Sequence, residues 1–140
     1  MLHVCFLDTA SAKLPTRKTR GSAGYDLCAT SDCLVVRGEI AFIHTGIALE
    51  IPEGYYGDIK ARSSLGRLGI TVRGGVIDSD YRGEIIVMLG KDSGGDTYDI
   101  KKGDSIAQIV FQKYEELKIV VTSSLSATQR NAGGFGSTGK

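Results

Sequence analysis

Two apolar runs, Ile85-Ile86-Val87-Met88-Leu89 and Ile106-Ala107-Gln108-Ile109-Val110-Phe111, indicate the class of fold. Both are short and rich in β-branched residues, which is typical of strands that are buried on both faces or nearly so. Similar runs recur along the chain between turn residues, at spacings of about 8–12 residues that are typical of all-β sandwiches and barrels. No segment keeps a helical period beyond one turn. The sequence therefore predicts one compact, antiparallel, all-β domain.

The individual elements follow from the same pattern. A short helix is predicted within residues 63–68. Both prolines, Pro15 and Pro52, fall between the predicted strands, as expected for a residue that cannot donate to a sheet. The strands are predicted at residues 4–7, 34–36, 40–44, 47–51, 56–61, 70–72, 84–89, 97–100, 105–112 and 117–121.

Composition narrows the class of protein. A chain of 140 residues is long enough to fold as one domain without disulfides. The net charge of +1 gives no global field that would attract nucleic acid or a membrane surface, and no stretch approaches the roughly 20 apolar residues of a membrane span. Three cysteines without framework spacing predict free thiols, and only two histidines argue against a zinc site. We therefore expect a soluble intracellular protein, of cytoplasm or nucleus, whose partners include neither nucleic acid nor a membrane.

The last eleven residues differ in composition from the rest of the chain. They contain four glycines, a Ser-Thr pair and two basic residues around one aromatic, Phe135. Glycine makes a backbone costly to order, so this segment is not expected to pack as a core element. It suits a flexible arm that closes over a ligand, whereas the alternative is a frayed terminus without function. We predict a β core at residues 1–122 and a flexible, glycine-rich arm at residues 123–140.

Four further segments have a composition that plain β structure does not require. Each nevertheless has a structural explanation: the acids around residue 79 suit a tight turn, an amide within a strand can bond its neighbour, and a surface arginine can form a weak ion pair. Taken singly, none of them establishes a function. The segments and their polar residues are 23–27 with Asp26, 61–66 with Arg62, Ser63 and Ser64, 74–83 with Asp78 and Asp80, and 103–108 with Gln108.

Together and in this order, the four segments and the arm resemble the five ordered motifs of the trimeric dUTPase family, the deoxyuridine triphosphate nucleotidohydrolases. The resemblance runs from about Leu14 to the end of the chain, and its specific parts are residues 75–83 and 130–139. It implies a jelly-roll β fold, a homotrimer with active sites shared between subunits, and a requirement for Mg²⁺. It also implies hydrolysis of dUTP to dUMP and diphosphate, which limits uracil incorporation into DNA and supplies dUMP for dTMP synthesis.

The resemblance also implies roles for residues around the base, the sugar and the metal. Asp78 is similar to the family's catalytic base, which activates the water that attacks the α-phosphorus. Tyr81 is similar to the residue that packs beneath the deoxyribose and excludes a 2′-hydroxyl. Gly75 belongs to the hairpin at residues 70–77, which in the family reads uracil through main-chain groups. Asp26 would hold waters of the Mg²⁺ shell.

The remaining implied roles concern the phosphates and the arm. Phe135 would cover the uracil, and Arg130 would meet the terminal phosphate. The other residues expected to contact phosphates are Arg62, Ser63, Ser64 and Gln108 in the core, and Gly136, Ser137 and Thr138 in the arm.

Two positions depart from the family pattern. Ala61 stands where a proline often precedes Arg62, and Arg73 stands where a small residue is common before the glycine pair.

Two other classes of protein compete with the hydrolase. A deoxycytidine triphosphate deaminase of the same fold would need a catalytic Glu and would lack the Phe-containing arm. A non-catalytic binding protein would be expected to have lost Asp78 or the arm. The sequence retains both, which favours the hydrolase.

Overall fold

A computed structural model describes residues 1–137 and 139 of the chain. Within these residues the protein is built from short strands and one helical turn. Thr138, which was predicted to contact phosphate, lies outside the described residues. The elements in chain order are β1 (His3–Phe6), β2 (Tyr25–Cys28), β3 (Cys33–Val36), β4 (Ile40–Glu50), β5 (Tyr55–Lys60), α1 (Ser63–Gly66), β6 (Ile70–Arg73), β7 (Val76–Ile77), β8 (Glu84–Lys91), β9 (Thr97–Ile100) and β10 (Ser105–Lys113).

The strands form two four-stranded sheets and a small third sheet. The first has the order β1-β4-β8-β6, the second β2-β10-β5-β7, and the third pairs β3 with β9. All the strand pairs are antiparallel. Neighbours in a sheet are mostly distant in sequence, so the chain crosses repeatedly between the sheets. This arrangement confirms the predicted all-β, jelly-roll-like fold.

The core lies between the sheets and is built by the two runs that indicated the fold. In β8, Ile85, Val87 and Leu89 are fully buried, and the residues between them are half-buried. In β10, Ile106 and Ile109 are fully buried. Burial of such side chains stabilises the fold by about 1.5–3 kcal/mol each. The prediction of strands buried on nearly both faces is therefore confirmed for these two segments.

Three predictions about strands need correction. The segments at 40–44 and 47–51 join into one strand, β4, because Gly46 (φ +68°) carries the chain through a register shift between His44 and Ala48. Two strands were not predicted as separate elements. The segment that forms β2 was singled out only for Asp26, and β7 has two residues, which are too few to show a period.

The predicted strand at residues 117–121 is wrong for the single chain. No strand is assigned to these residues, and Leu117, Ile119 and Val121 are 79%, 92% and 96% exposed. A strand needs an edge to pair with, and this segment pairs with none among the described strands. Its apolar composition is therefore unexplained by the fold of one chain.

Two other predictions, the short helix and the free cysteines, are confirmed. The helix expected within residues 63–68 is α1. The three cysteines are free thiols, and burial raises the pKa of the Cys28 thiol, which favours its protonated, unreactive form. Within the described part of the chain, no helix has the length and apolar character that crossing a bilayer requires.

Candidate functional site

A cleft in the structure is lined by Asp78. It has a volume of about 870 Å³ and is open to solvent. Asp78 enters the cleft because β7 ends directly before it, and β7 is held to β5 by the pairs Gly57 with Ile77 and Asp58 with Val76. The residues that line this cleft are Ile51, Glu53, Tyr56, Val76, Asp78, Ser79, Asp80, Arg82 and Tyr114.

Residues 70–77, the predicted hairpin, run from β6 in the first sheet to β7 in the second, and these two strands do not pair with each other. The turn between them, which we call the tip of the hairpin, has a backbone conformation that favours glycine. Gly74 and Gly75 have φ angles of +63° and +109°, a region that side chains rarely adopt. The backbone N–H of Ile59 donates to the carbonyl of Gly75 at 2.8 Å, and a Cβ on Gly75 would lie 2.8 Å from the carbonyl oxygen of Ile59. The tip is therefore packed against β5 at Gly75.

Tyr81 lies on the turn that follows Asp78. The N–H of Tyr81 donates to the carbonyl of Asp78 at 3.2 Å, and its hydroxyl donates to the carbonyl of Glu84 at 2.9 Å. Its ring lies over Gly83, where a Cβ would come within 2.6 Å of the ring carbon Cζ. These contacts fix the ring while leaving Tyr81 43% exposed. Tyr81 is thus a preformed aromatic surface close to Asp78 in the chain.

A chain of charged groups that begins at Arg82 holds the same turn. Arg82 Nη1 donates to the carbonyl of Ser79 at 2.7 Å, and Arg82 Nη2 lies 3.3 Å from a carboxylate oxygen of Glu50. The other carboxylate oxygen of Glu50 lies 2.8 Å from Nδ1 of His3. The hydrogen bond from His3, with the charge of Arg82, holds the pKa of Glu50 below its ordinary value. The turn is therefore tied to strands β1 and β4.

A second, smaller cleft contains Arg62 and has a volume of about 230 Å³. Arg62 directly precedes α1, and its Nη1 donates to the carbonyl of Ser105 at 3.0 Å. Its Nε lies 3.8 Å from a carboxylate oxygen of Asp26, and each of these two side chains is 28% exposed. Ser63 and Ser64 are exposed on the first turn of α1. The residues that line this cleft are Arg62, Ser64, Leu65, Tyr98, Asp104, Ser105 and Ile106.

Gln108 joins this second group. In the sheet it stands between Asp26 on β2 and Lys60 on β5, and its Nε2 donates to the carbonyl of Ala61 at 3.2 Å. Its side chain also packs against Gly24, where any Cβ would collide with it. Arg62, Asp26 and Gln108 are therefore brought together by neighbouring strands, although they are up to 82 residues apart in sequence.

The arm carries the remaining predicted residues and lies apart from both clefts. Arg130 Nε donates to the carbonyl of Gly133 at 2.7 Å, and the N–H of Ser137 donates to Gly134. Every hydrogen bond of the described arm residues joins partners within residues 122–137 and 139. Phe135 is fully exposed, and Gly136 next to it has a φ of +84°. In one chain, the arm therefore covers neither cleft.

The predicted site residues thus form three groups in a single chain. Gly75, Asp78 and Tyr81 belong to the hairpin and the turn after it, whereas the second group surrounds Arg62, and the arm is the third. The two clefts share no lining residue. Among the described residues, no group of three or more His, Cys, Asp or Glu side chains is arranged to hold a metal ion. A metal bound here would need most of its ligands from water or from a ligand molecule.

Sequence reasoning missed several residues that line the clefts. Glu53, Tyr56 and Tyr114 line the large cleft beside Asp78, and the rings of the two tyrosines lie 6.4 Å apart. Ser105 contributes its carbonyl to Arg62, while its buried hydroxyl has no partner among the described residues. Glu53, Tyr56 and Tyr114 lie in no distinctive local pattern, and Ser105 lies in a segment that was singled out only for Gln108, so only the folded chain shows their place.

Comparisons with known proteins agree with one another. The deoxyuridine 5′-triphosphate nucleotidohydrolases of cowpox virus (strain GRI-90 / Grishak) and vaccinia virus (strain Copenhagen) are each 46% identical over 134 residues, covering 94% of this chain and 89% of theirs. The dUTPase of Staphylococcus bacteriophage 80alpha, solved with dUpNHpp, superposes with a TM-score of 0.90 at 26% identity, covering 100% of this chain and 99% of its own. A dUTPase from phage phi11 of S. aureus gives a TM-score of 0.81 at 25% identity, covering 89% and 97%.

The sequence pattern that defines the dUTPase family covers nearly the whole chain. It matches residues 10–139, a span that contains both clefts and the arm. With the fold, the ordered motifs and these relatives, the match leads to one conclusion: the chain belongs to the dUTPase family.

Proposed function

We propose that the protein hydrolyses dUTP to dUMP and diphosphate. The observation that carries this proposal is the position of Asp78, in an open cleft directly after the short strand β7. Such a cleft can admit a nucleotide while the carboxylate acts at the α-phosphorus. Named relatives that are 46% identical support the same activity.

In this proposal Asp78 is the general base. Its carboxylate accepts a proton from a water molecule as the water oxygen bonds to the α-phosphorus. The bond between the α-phosphorus and the oxygen that bridges to the β-phosphate breaks, and diphosphate leaves with that oxygen. The main chain of the turn that carries Asp78 is held by the Tyr81 N–H and by Arg82, which would restrict the positions open to the carboxylate.

Recognition of the nucleoside is assigned to the hairpin and to Tyr81. Main-chain groups around Gly75 would pair with the edge of uracil, because the tip is fixed against β5 and has no side chain in the way. The ring of Tyr81 would lie beneath the deoxyribose, where its fixed position leaves no room for a 2′-hydroxyl. Phe135 would cover the uracil from the arm, since its ring is fully exposed in the single chain.

The phosphates and Mg²⁺ are assigned to the second cleft and to the arm. Arg62, Gln108 and the hydroxyls of Ser63 and Ser64 offer donors on one surface. Asp26, whose carboxylate lies beside Arg62, fits an ion that keeps most of its water and takes its other ligands from phosphates. When bound, Mg²⁺ would neutralise triphosphate charge. A phi11 phage dUTPase structure describes coordination of a structural Mg(II) ion, which supports a magnesium requirement.

The geometry of the single chain also supports the predicted homotrimer with shared sites. The base-side group and the phosphate-side group lie in separate clefts, and the arm covers neither. The apolar segment at 117–121 is exposed, as expected if another subunit covers it. We assign the arm that carries Arg130, Phe135, Gly136, Ser137 and Thr138 to a site on a neighbouring subunit.

A complementation experiment tests this arrangement. Asp78→Asn and a chain ending at Gln129 should each be inactive alone. After they are unfolded together and refolded in equal amounts, about a quarter of sites should combine an intact Asp78 with an intact arm from another subunit. Mixing Asp78→Asn with a truncated Asp78→Asn chain is the matched control. Absence of activity in mixed trimers confirmed by mass would refute shared sites.

The activity itself is tested by measuring diphosphate release. We expect release from dUTP in preference to dTTP, dCTP and UTP, and a loss of release when EDTA removes Mg²⁺. Release of ammonia from dCTP would instead support a deaminase of the same fold. No turnover of any of these nucleotides, combined with tight dUTP binding, would support a non-catalytic binding protein.

A further inference from the structure

We propose that Arg73 is a positioning residue for base selectivity, because it fixes the hairpin at residues 70–77 to the first sheet. This inference rests on the proposed assignment of that hairpin to uracil. Arg73 is the last residue of β6 and directly precedes Gly74 and Gly75. Its side chain therefore lies at the point where the chain passes from the first sheet, which contains β6, to the second sheet, which contains β7.

Arg73 is held by an ion pair with Asp92. Its Nη2 lies 2.6 Å from Oδ1 of Asp92, and the hydroxyl of Thr71 donates to Oδ2 of the same carboxylate at 3.4 Å. Asp92 thus receives two contacts from one face of β6. The Arg73 and Asp92 side chains are 43% and 57% exposed. An ion pair so exposed contributes little to global stability, so its main effect is on local geometry.

Gly90 provides the surface on which the guanidinium lies. It is buried on β8, opposite Thr71 in the register of the sheet. A Cβ at this position would lie 2.6 Å from Nη2 and 2.9 Å from Cζ of Arg73. The guanidinium therefore packs directly on the main chain of β8, in space that exists only because residue 90 has no side chain.

Lys91 fixes the loop that carries Asp92. The Lys91 side chain is buried, and its ammonium donates to the carbonyls of Leu68, Ser93 and Gly94 at 2.6, 2.7 and 2.9 Å. Because the loop is tied down on both sides of Asp92, this carboxylate is a fixed anchor for Arg73. The far side of the hairpin is fixed by the contact of Gly75 with β5. The hairpin is thus fixed to the first sheet through Arg73 and to the second sheet through Gly75.

The test compares Arg73→Ala, Gly90→Ala and the double variant with the wild-type protein. Arg73→Ala should raise the KM for dUTP by about two- to fivefold, the effect of one exposed ion pair. It should leave kcat nearly unchanged and lower the dUTP-to-dCTP ratio of kcat/KM, because the hairpin contacts the base and not the phosphates. Gly90→Ala should act in the same direction, since its methyl group displaces the guanidinium. Arg20→Ala, at an exposed arginine in the loop before β2, is the matched control.

The double variant distinguishes a shared mechanism from two separate ones. If Gly90→Ala acts by displacing Arg73, it should have no further effect on KM or on the thermal midpoint in the Arg73→Ala background. Additive effects would overturn the proposal, as would an unchanged KM and selectivity in Arg73→Ala. A lower kcat and thermal midpoint with KM unchanged would show a structural role only. If the wild-type protein does not hydrolyse dUTP, the proposed function fails and this inference fails with it.

Discussion

Replacement of Phe135 by alanine separates a role in binding from a role in the fold. The side chain is fully exposed, so its removal uncovers no apolar surface in the chain. Both phenylalanine and alanine carry the same cost at the observed φ of +52°. A surface substitution of this kind changes stability by less than about 0.5 kcal/mol. We therefore expect the thermal midpoint of Phe135→Ala to equal that of the wild-type protein.

The effect on catalysis should be much larger. Stacking of a base on an aromatic side chain contributes about 1–3 kcal/mol. Because about 1.4 kcal/mol corresponds to a factor of ten, the loss predicts a fall in kcat/KM for dUTP of about 5- to 140-fold. An aromatic ring is the feature that matters, so Phe135→Trp should retain most of the activity. Phe135→Leu keeps an apolar side chain without the ring and should lose most of it.

Steady-state diphosphate release and differential scanning calorimetry measure the two quantities. Equal kcat/KM values for Phe135→Ala and the wild-type protein would refute the assignment of the ring to uracil. A fall of several degrees in the thermal midpoint would show that Phe135 packs in the assembled protein, and the loss of activity would then have a structural cause.

Three further substitutions test the assigned roles. Asp78→Asn should lower kcat by about 10²–10⁴ with little change in KM, as for loss of a general base, and an undiminished kcat would contradict the role. Tyr81→Ala should lower the dUTP-to-UTP ratio of kcat/KM, whereas Tyr81→Phe, which loses only the hydrogen bond to Glu84, should change it less. The lowered pKa of Glu50 stabilises the fold above the ordinary carboxyl range, and this contribution is lost as pH falls through the folded pKa. The thermal midpoint of Glu50→Gln should therefore lie below that of the wild-type protein at pH 7, and the difference should shrink as pH falls below the ordinary carboxyl range; a constant difference would contradict the linkage.

Local sequence was enough to predict the all-β class and most of its strands. An apolar run such as the one that begins at Ile85 needs no tertiary information, because a short, β-branched segment has few other ways to bury its side chains. Local sequence also indicated the loops, because glycine-rich and acidic segments suit turns better than strands. The order of those segments along the chain predicted the family, which the comparisons confirm.

Local sequence patterns could not predict which segments become neighbours in the folded chain. The apolar segment at 117–121 has the composition of a strand, but composition does not say whether an edge is available within the same chain, and here none is. Arg73 stood out only as an unusual residue before two glycines, and nothing nearby in sequence indicated that it lies on Gly90 and pairs with Asp92. The division of the predicted site into two clefts likewise depends on which strands become neighbours. Propensity is a property of short segments, whereas a site is built from contacts between segments that only folding brings together.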